Sequence, residues 1–554
     1  MRQSFYQQPP VLGNQYLSDA ALQAALQAML PAAVLTAVQP ELQQLGQLAC
    51  GDMLAMAADA EANPPRLQQF DAWGRRIDRI ATAAGWQQLH DIAAREGLVA
   101  TAYQRQHGQW SRLHQFAKLF LYHPSSAVAS CPLAMTDGAA RVLELHAATE
   151  PALQPVLGHL LSTDPESFWT AGQWMTERTG GSDVSATATI AEASAEDDSY
   201  RLSGDKWFTS ATTAQIALTL ARISSAGQVD ERLSLFLLPI RDADDRLNRI
   251  TIHRLKDKLG TRALPTAELT MHGSSARLIG QRGEGIKTIA TMLNITRLYN
   301  ACCAAAIMRR ALVLAEDYAG RREAFGQRLA DLPLHAETLA EMRAEQRAAM
   351  LLVMHLAQLL GRQECAVSSA AEDHMLRLLV PVAKLYTGKQ GIAVTSEALE
   401  CFGGAGYVED TGLPVMLRDA QVLSIWEGTT NVLSLDVLRA LRDAAVWPSL
   451  RDWLVTSLQA LPEQFAAQRS KCAQAIDQLN DWLCEHHDSA DRQRQARRLA
   501  FAFARIGCAV LLLRQAAWCT EHGHDDAVLA CAAAQRWCRR DLLAGLSSQQ
   551  QQQA

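Results

Sequence analysis

The stretch SYRLSGDKWFTS, Ser199 to Ser210, marks the point where the chain stops reading as helix. Three more short strand-like pieces follow it: IALTLARI (Ile216–Ile223), LSLFLLPI (Leu233–Ile240) and TAELTMHG (Thr266–Gly273). Gly, Asp, Ser and Pro set them apart. Consecutive strands with no helix between them favour a small antiparallel barrel or sandwich over a doubly wound sheet. This β-unit is assigned to residues 166–285.

Outward from it, both flanks are helical. Residues 1–165 are rich in Ala, Leu and Gln with helical apolar spacing, starting after Ser18, a good N-cap with Asp19 behind it. Residues 286–445 carry four long periodic segments, Ile295–Arg321, Leu334–Leu360, Ala370–Glu400 and Thr430–Leu441, which predict a four-helix bundle. VWPSL, Val446–Leu450, reads as a boundary before an extra helical domain, residues 446–554. The polar SSQQQQQA end is predicted to be disordered. The fold class is therefore mainly α with a central β-unit.

A chain of 554 residues is too long for one core. A net charge of -6 argues against a generally basic, polyanion-binding chain and leaves only a local basic face for nucleic acid. The twelve cysteines form no CxxC pair, and most read as small buried hydrophobes in a reducing compartment. His522 and His524 beside Asp525 and Asp526 read as a polar helix–helix loop, so no metal is expected. Gln23, Gln27 and Pro31 interrupt the segment Ala20–Val38, and no unbroken apolar run reaches the roughly 18–20 residues of a membrane span. The expectation is a cytoplasmic protein with no membrane contact.

Five stretches carry chemistry. In MTERTGGSDV (Met175–Val184), Gly180 and Gly181 let the backbone approach a ligand, and Ser182 adds a hydroxyl suited to a phosphate. In DKWFTSATT (Asp205–Thr213), Trp207 offers a flat face and Thr209 a hydroxyl two residues on, on the same side of a strand. In GRREAFGQRL (Gly320–Leu329), Arg322 suits phosphate oxygens and Phe325 a planar ring. ECFGGAGYVED (Glu400–Asp410) has three glycines, Gly403, Gly404 and Gly406, where a plain helix C-cap needs one. SIWEGTTNV (Ser424–Val432) sets Glu427 between an indole and small residues.

In this order the five resemble the acyl-CoA dehydrogenase family, from about Leu17 to Leu441, and KDKLGTRALPTAEL (Lys256–Leu269) adds a sixth match. YLSDAAL, CPLAMTDGAAR (Cys131–Arg141), SIWEGTTNVLSLDVLR and the extra C-terminal helices resemble its AidB-like branch, a group tied to the adaptive response to alkylation and to DNA binding. The resemblance implies FAD, an acyl-CoA substrate and an oxidoreductase acting on a CH–CH bond. Glu427 matches the family's base for the α-proton, while the flavin takes the β-hydride. A backbone N–H and a flavin hydroxyl stabilise the enolate in the family. The alternative base position falls on Thr296, which cannot serve, and nitroalkane oxidases carry Asp where this chain has Glu427.

Carried over residue by residue, Met175, Thr176, Gly181, Ser182, Trp207, Phe208, Thr209, Thr429 and Asn431 would line FAD. Arg322, Phe325 and Gly404 would reach it from a neighbouring subunit of a homotetramer, with Glu400 near the pyrophosphate. Asn294 and Arg297 match substrate-side positions. An electron-transfer flavoprotein is the implied electron acceptor. Arg178-Thr179 replace the family's Pro-Gly, and Glu400 stands where many members have Gln, an anion that repels phosphate unless a donor offsets it. The other reading is a flavoprotein with weak dehydrogenase activity that binds and protects DNA through its C-terminal domain. There Arg492, Arg494, Arg497, Arg498 and Arg505 cluster, although residues 442–554 hold 13 Lys/Arg against 12 Asp/Glu.

Overall fold

The computed structural model describes residues 8–195, 199–225, 227–486 and 489–546, so the polar tail from Ser547 lies outside the described residues. The chain builds two compact units, one from residues 51–106 and 125–299, the other from residues 1–50, 107–124 and 300–554.

In the first unit a sheet of seven strands dominates. After the hairpin β1 (Arg66–Phe70) and β2 (Arg76–Ala81) come β3 (Ala171–Trp174), β4 (Ile190–Ala193), β5 (Tyr200–Ser210), β6 (Ile216–Ser225), β7 (Gln228–Pro239), β8 (Ile250–Leu255) and β9 (Thr266–Ile279). The neighbours run β6-β4-β5-β9-β7, and β6 also pairs β7, so this ring of strands closes on itself as a barrel. Most pairs are antiparallel, as consecutive strands with no helix between them predict; β3 and β4 lie parallel to β6 instead. Strand β6 is buried through Ala221, on both faces, which is why its sequence is a nearly unbroken apolar run.

The β1–β2 hairpin is a departure from the all-helical expectation for residues 1–165. Apart from the buried Asp78, its side chains are exposed or half-buried, so it carries little apolar signal. Polar bonds fasten it to β8: Asp78 accepts from the Ile252 N–H at 3.0 Å, and Arg76 and Gln69 donate to the Ile252 and His253 carbonyls. Around the barrel lie helices Asp52–Ala62, Ala84–Arg95 and Ser130–His146. The last contains the CPLAMTDGAAR stretch. Its Asp137 is fully buried and accepts from the Tyr103 and Tyr299 hydroxyls at 2.7 and 2.8 Å.

The second unit is helical. The long segments appear as Gly285–Arg321 (which starts in the first unit), Pro333–Glu364, Ala370–Cys401 and Thr430–Ala440. Ser369 and Glu372 close a capping box at the start of the third. At the N-terminus Asp19, rather than Ser18, caps the helix Ala20–Met29, accepting from the Leu22 N–H at 3.0 Å. VWPSL is the opening of a further helix, Val446–Gln459, and Ala466–Glu485, Ser489–Glu521 and Ala527–Arg539 follow. The 489–521 helix packs on the 333–364, 370–401 and 430–440 helices. Tyr386 of the bundle meets the Phe501 and Trp537 rings at 5.4 and 6.5 Å. Two helices, Gly285–Arg321 and Ala490–Glu521, do have the length and apolar character to cross a membrane, contrary to the reading of uninterrupted runs. Both are mostly buried inside the protein as core helices.

Candidate functional site

In the barrel unit the cofactor-type loop folds as a tight hairpin. The Glu177 and Gly180 backbones exchange hydrogen bonds of 3.1 and 3.2 Å, leaving Arg178 and Thr179, the residues that replace Pro-Gly, at its tip. Gly180 has φ 144, and a Cβ on Gly181 would meet the Thr176 hydroxyl at 2.5 Å, so both positions need glycine. The Thr176 carbonyl accepts from the Trp207 N–H at 3.0 Å and stitches the loop to β5. Met175 is buried and Thr176 half-buried, while Gly181 and Ser182 are exposed.

A β-bulge between Lys206 and Thr209 breaks the simple alternation that would put Trp207 and Thr209 side by side. Lys206 and Thr209 are both buried, and the Thr209 hydroxyl donates to the Ala267 carbonyl at 2.9 Å within the sheet. Trp207 is half-buried and Phe208 exposed; the Lys256 ammonium lies 3.8 Å from the Trp207 ring centre and 4.5 Å from that of Phe208. Arg178 approaches the same indole at 5.2 Å. The bulge therefore presents two rings flanked by cations. Asn294 is exposed and Arg297 half-buried, one turn apart on the 285–321 helix. Thr296 between them is buried, its hydroxyl spent on the Met292 and Leu293 carbonyls.

Under this loop sits a feature the sequence did not reveal. Glu177 is buried and accepts from the Ala188 N–H at 2.7 Å, the Thr189 hydroxyl, and the Lys206 ammonium at 2.8 Å; Lys206 is fully buried. Burial works to raise the Glu177 carboxyl, but the Lys206 charge and these hydrogen bonds prevail and hold its pKa below the usual carboxylate value. Burial pulls the Lys206 pKa down, against the pull of Glu177.

In the helical unit the glutamate lies in a turn between helices Leu413–Val422 and Thr430–Ala440. Glu427 is half-buried at φ 55, and Gly428 follows at φ 103. Thr429 is the N-cap of the second helix and half-buried, with Asn431 exposed in its first turn. Trp426 packs on the cluster of Cys303, Ala304, Ile307, Ala420 and Leu423, and its indole N–H donates to the Asn300 side chain. The indole is thus an anchor in the bundle rather than a loose wall over the turn. Asn300 also donates to the Leu423 carbonyl at 2.9 Å, and the buried Lys384 ammonium donates to the Gly428 carbonyl at 2.7 Å.

Two other motifs of this unit come together at helix ends. Arg322 leads into a short hairpin, Glu323–Ala324 paired with Gln327–Arg328, turning on Phe325 (φ 53) and Gly326 (φ 81). Phe325 stands 94% exposed at the tip, and Arg322 is exposed beside it. The Tyr318 and Phe402 rings, 4.8 Å apart, tie this end to the turn Gly403–Gly406, where Gly404 is open to solvent and Glu400 exposed. The four candidate DNA-contacting arginines separate. Arg492 donates to the His486 and Leu483 carbonyls, Arg494 pairs with Asp491 at 3.5 Å, and Arg497 and Arg498 remain exposed. Among the described residues no group of three His, Cys, Asp or Glu is placed to hold a metal.

Comparison with known proteins covers most of the chain. Residues 7–163 match the adaptive response protein AidB N-terminal domain, and residues 172–274 the acyl-CoA dehydrogenase middle domain. Residues 283–442 match the acyl-CoA dehydrogenase C-terminal domain, and residues 452–554 the acyl-CoA dehydrogenase 11 C-terminal domain-like family. Acyl-CoA dehydrogenase family member 11 of Caenorhabditis elegans is 43% identical over 95% of this chain and 86% of its own length. The crystal structure of Caenorhabditis elegans ACDH-11 in complex with C11-CoA superposes with a TM-score of 0.94 at 41% identity, over 99% of this chain and 94% of that one. The AidB protein of Escherichia coli (strain K12) is 32% identical over 85% of this chain and 86% of its own.

Substituting Lys206→Met should cost about 3–5 kcal/mol in urea unfolding, because it strands the Glu177 charge in the barrel. Glu177→Gln/Lys206→Met together should recover most of that loss. Because folding depresses the Glu177 pKa, its stabilising share is full above the unfolded carboxylate pKa and is lost as the pH falls through the folded value. The double variant should therefore show a flatter acid limb in its stability profile.

Proposed function

Since the chain belongs to the acyl-CoA dehydrogenase family, in its AidB-like branch, we propose that it oxidises an acyl-CoA thioester at the α,β bond, with FAD as cofactor and Glu427 as the base. The observation that carries this reading is the conformation of Glu427. A non-glycine residue at φ 55 is costly, about 1–3 kcal/mol, and such strain gathers where a side chain must be aimed. Here the strain falls on the carboxylate that heads the 430–440 helix, in a turn tied down on both sides.

An α-carbon proton is too weakly acidic for an ordinary carboxylate, so removing it requires a base fixed in line and stabilisation of the developing enolate. The clamped turn supplies the first. The relative crystallised with C11-CoA supports the thioester as substrate.

The residues present fit a planar, phosphate-bearing cofactor. In the barrel unit the adjacent rings of Trp207 and Phe208 suit stacking on an electron-poor ring system, Lys256 and Arg178 beside them suit negative charge, and the exposed Gly181–Ser182 backbone suits phosphate. In the helical unit we assign Thr429 and Asn431, at a helix N-terminus, to FAD. FAD, when bound, supplies the acceptor for the β-hydrogen as hydride. We assign Arg322, Phe325 and Gly404 to a neighbouring subunit's cofactor in a homotetramer; an exposed ring on an ordered turn supports that assignment. An electron-transfer flavoprotein is the proposed acceptor. A second reading, DNA binding and protection from alkylation with only weak dehydrogenase activity, draws on Arg494, Arg497 and Arg498, which are exposed on one stretch of the 489–521 helix.

Anaerobic mixing with an acyl-CoA chain-length series should bleach the flavin of the wild-type protein and leave Glu427→Gln oxidised; bleaching of that variant at the wild-type rate would remove Glu427 from the role of base. Glu427→Gly should also fail to bleach, yet unfold no more easily than the wild type and gain about 1 kcal/mol, since glycine tolerates this backbone. For the second reading, the slope of log affinity for DNA against log salt should shrink by about 1 for each phosphate-contacting arginine removed, as in Arg497→Ala. Affinity indifferent to salt would discard it.

A further inference from the structure

Lys384 lies in the apolar run VPVAKLY of the 370–401 helix, and its side chain is completely buried. An ammonium is expensive to bury, so a fold that keeps one in a helical core must give it a partner. Lys384 donates to the Gly428 carbonyl, 2.7 Å away, in the peptide that directly follows Glu427. Gly388 is one turn further along the same face of the helix. A Cβ there would meet the Leu423 carbonyl at 2.7 Å, so the helix lies directly against the start of the same turn. Asn300 holds the Leu423 carbonyl and the Trp426 indole from a different helix. The 423–428 segment is therefore gripped on both sides of the strained glutamate, and Lys384 supplies the grip on its C-terminal side.

We propose that Lys384 is the positioning residue of Glu427: its buried ammonium fixes the Gly428 carbonyl, locks the left-handed turn and so aims the carboxylate. The inference rests on Glu427 being the base, as proposed above. Lysine suits the task because a compact ammonium on a long stem delivers a strong, charge-assisted hydrogen bond through an apolar layer to a carbonyl. Without it the turn has reason to relax, since the left-handed residue is no longer held.

The test is Lys384→Met in the full-length, FAD-loaded protein. Flavin content and acyl-CoA binding, read from the flavin spectrum, should stay within about threefold of wild type. The rate of anaerobic flavin reduction should fall about 100-fold, the size expected for a base displaced by about an ångström. Lys384→Gln, which keeps a donor, should recover part of the rate, and it serves as the readout if Lys384→Met folds poorly. Reduction at the wild-type rate in both variants overturns the inference. So does a crystal structure of Lys384→Met in which the Glu427–Gly428 turn is unmoved, whatever the activity. A wild-type protein that no acyl-CoA reduces counts against the function proposed above, and the same crystal structure then still decides the role of Lys384.

Discussion

A carboxylate carried on left-handed backbone is the constraint around which the helical unit is arranged. Glu427 and Gly428 take positive φ in succession, and such a pair does not hold its shape unaided. The elements around it supply what the turn lacks. The 285–321 helix brings Asn300, the 370–401 helix brings Lys384 and Gly388, and the 413–422 helix brings Ala420 beneath Trp426. Each lies in a different element, so the turn exists only when the bundle is assembled. The local sequence alone, with its two small residues after Glu427, would favour an open loop.

How much of this was legible depended on whether a residue's role was local. The long helices were readable because their apolar period runs for many turns: Leu334–Leu360 in the sequence became Pro333–Glu364, and Ala370–Glu400 became Ala370–Cys401. The strands of the barrel were readable because β6 through Ala221 and β7 from Leu233 are nearly continuous apolar runs. The β1–β2 hairpin was not, because Asp78, Arg76 and Gln69 hold it through bonds to β8 some 180 residues away, as in the 174-residue separation of Asp78 and Ile252. Nor were the parallel pairings with β6, which follow from the path of the chain between strands rather than from the strands themselves.

The candidate site divides in the same way. Glycines were legible because backbone geometry demands them where they stand, as at Gly180 and Gly181. Trp207 and Thr209 were noticed, but the bulge that separates their environments is set by pairing with β9 and leaves no mark in DKWFTS. The buried lysines were invisible. Lys206 and Lys384 read as solvated charge in any window, and partners brought by other segments, among them Glu177 for one and the Gly428 carbonyl for the other, make their burial tolerable. A lysine set within an apolar run is the signal that was available.

The Phe325 hairpin has a consequence for association. Its turn, Phe325 and Gly326, is closed by the pairing of Glu323–Ala324 with Gln327–Arg328, so the hairpin backbone sets where the aromatic side chain leaves the chain whether or not anything covers it. Much of the ordering cost that a mobile loop would incur on docking is met when the chain folds. A surface that receives this ring therefore has only a side-chain rotamer left to order, and the strength of that contact is set by the fit of its socket more than by any need to freeze the hairpin.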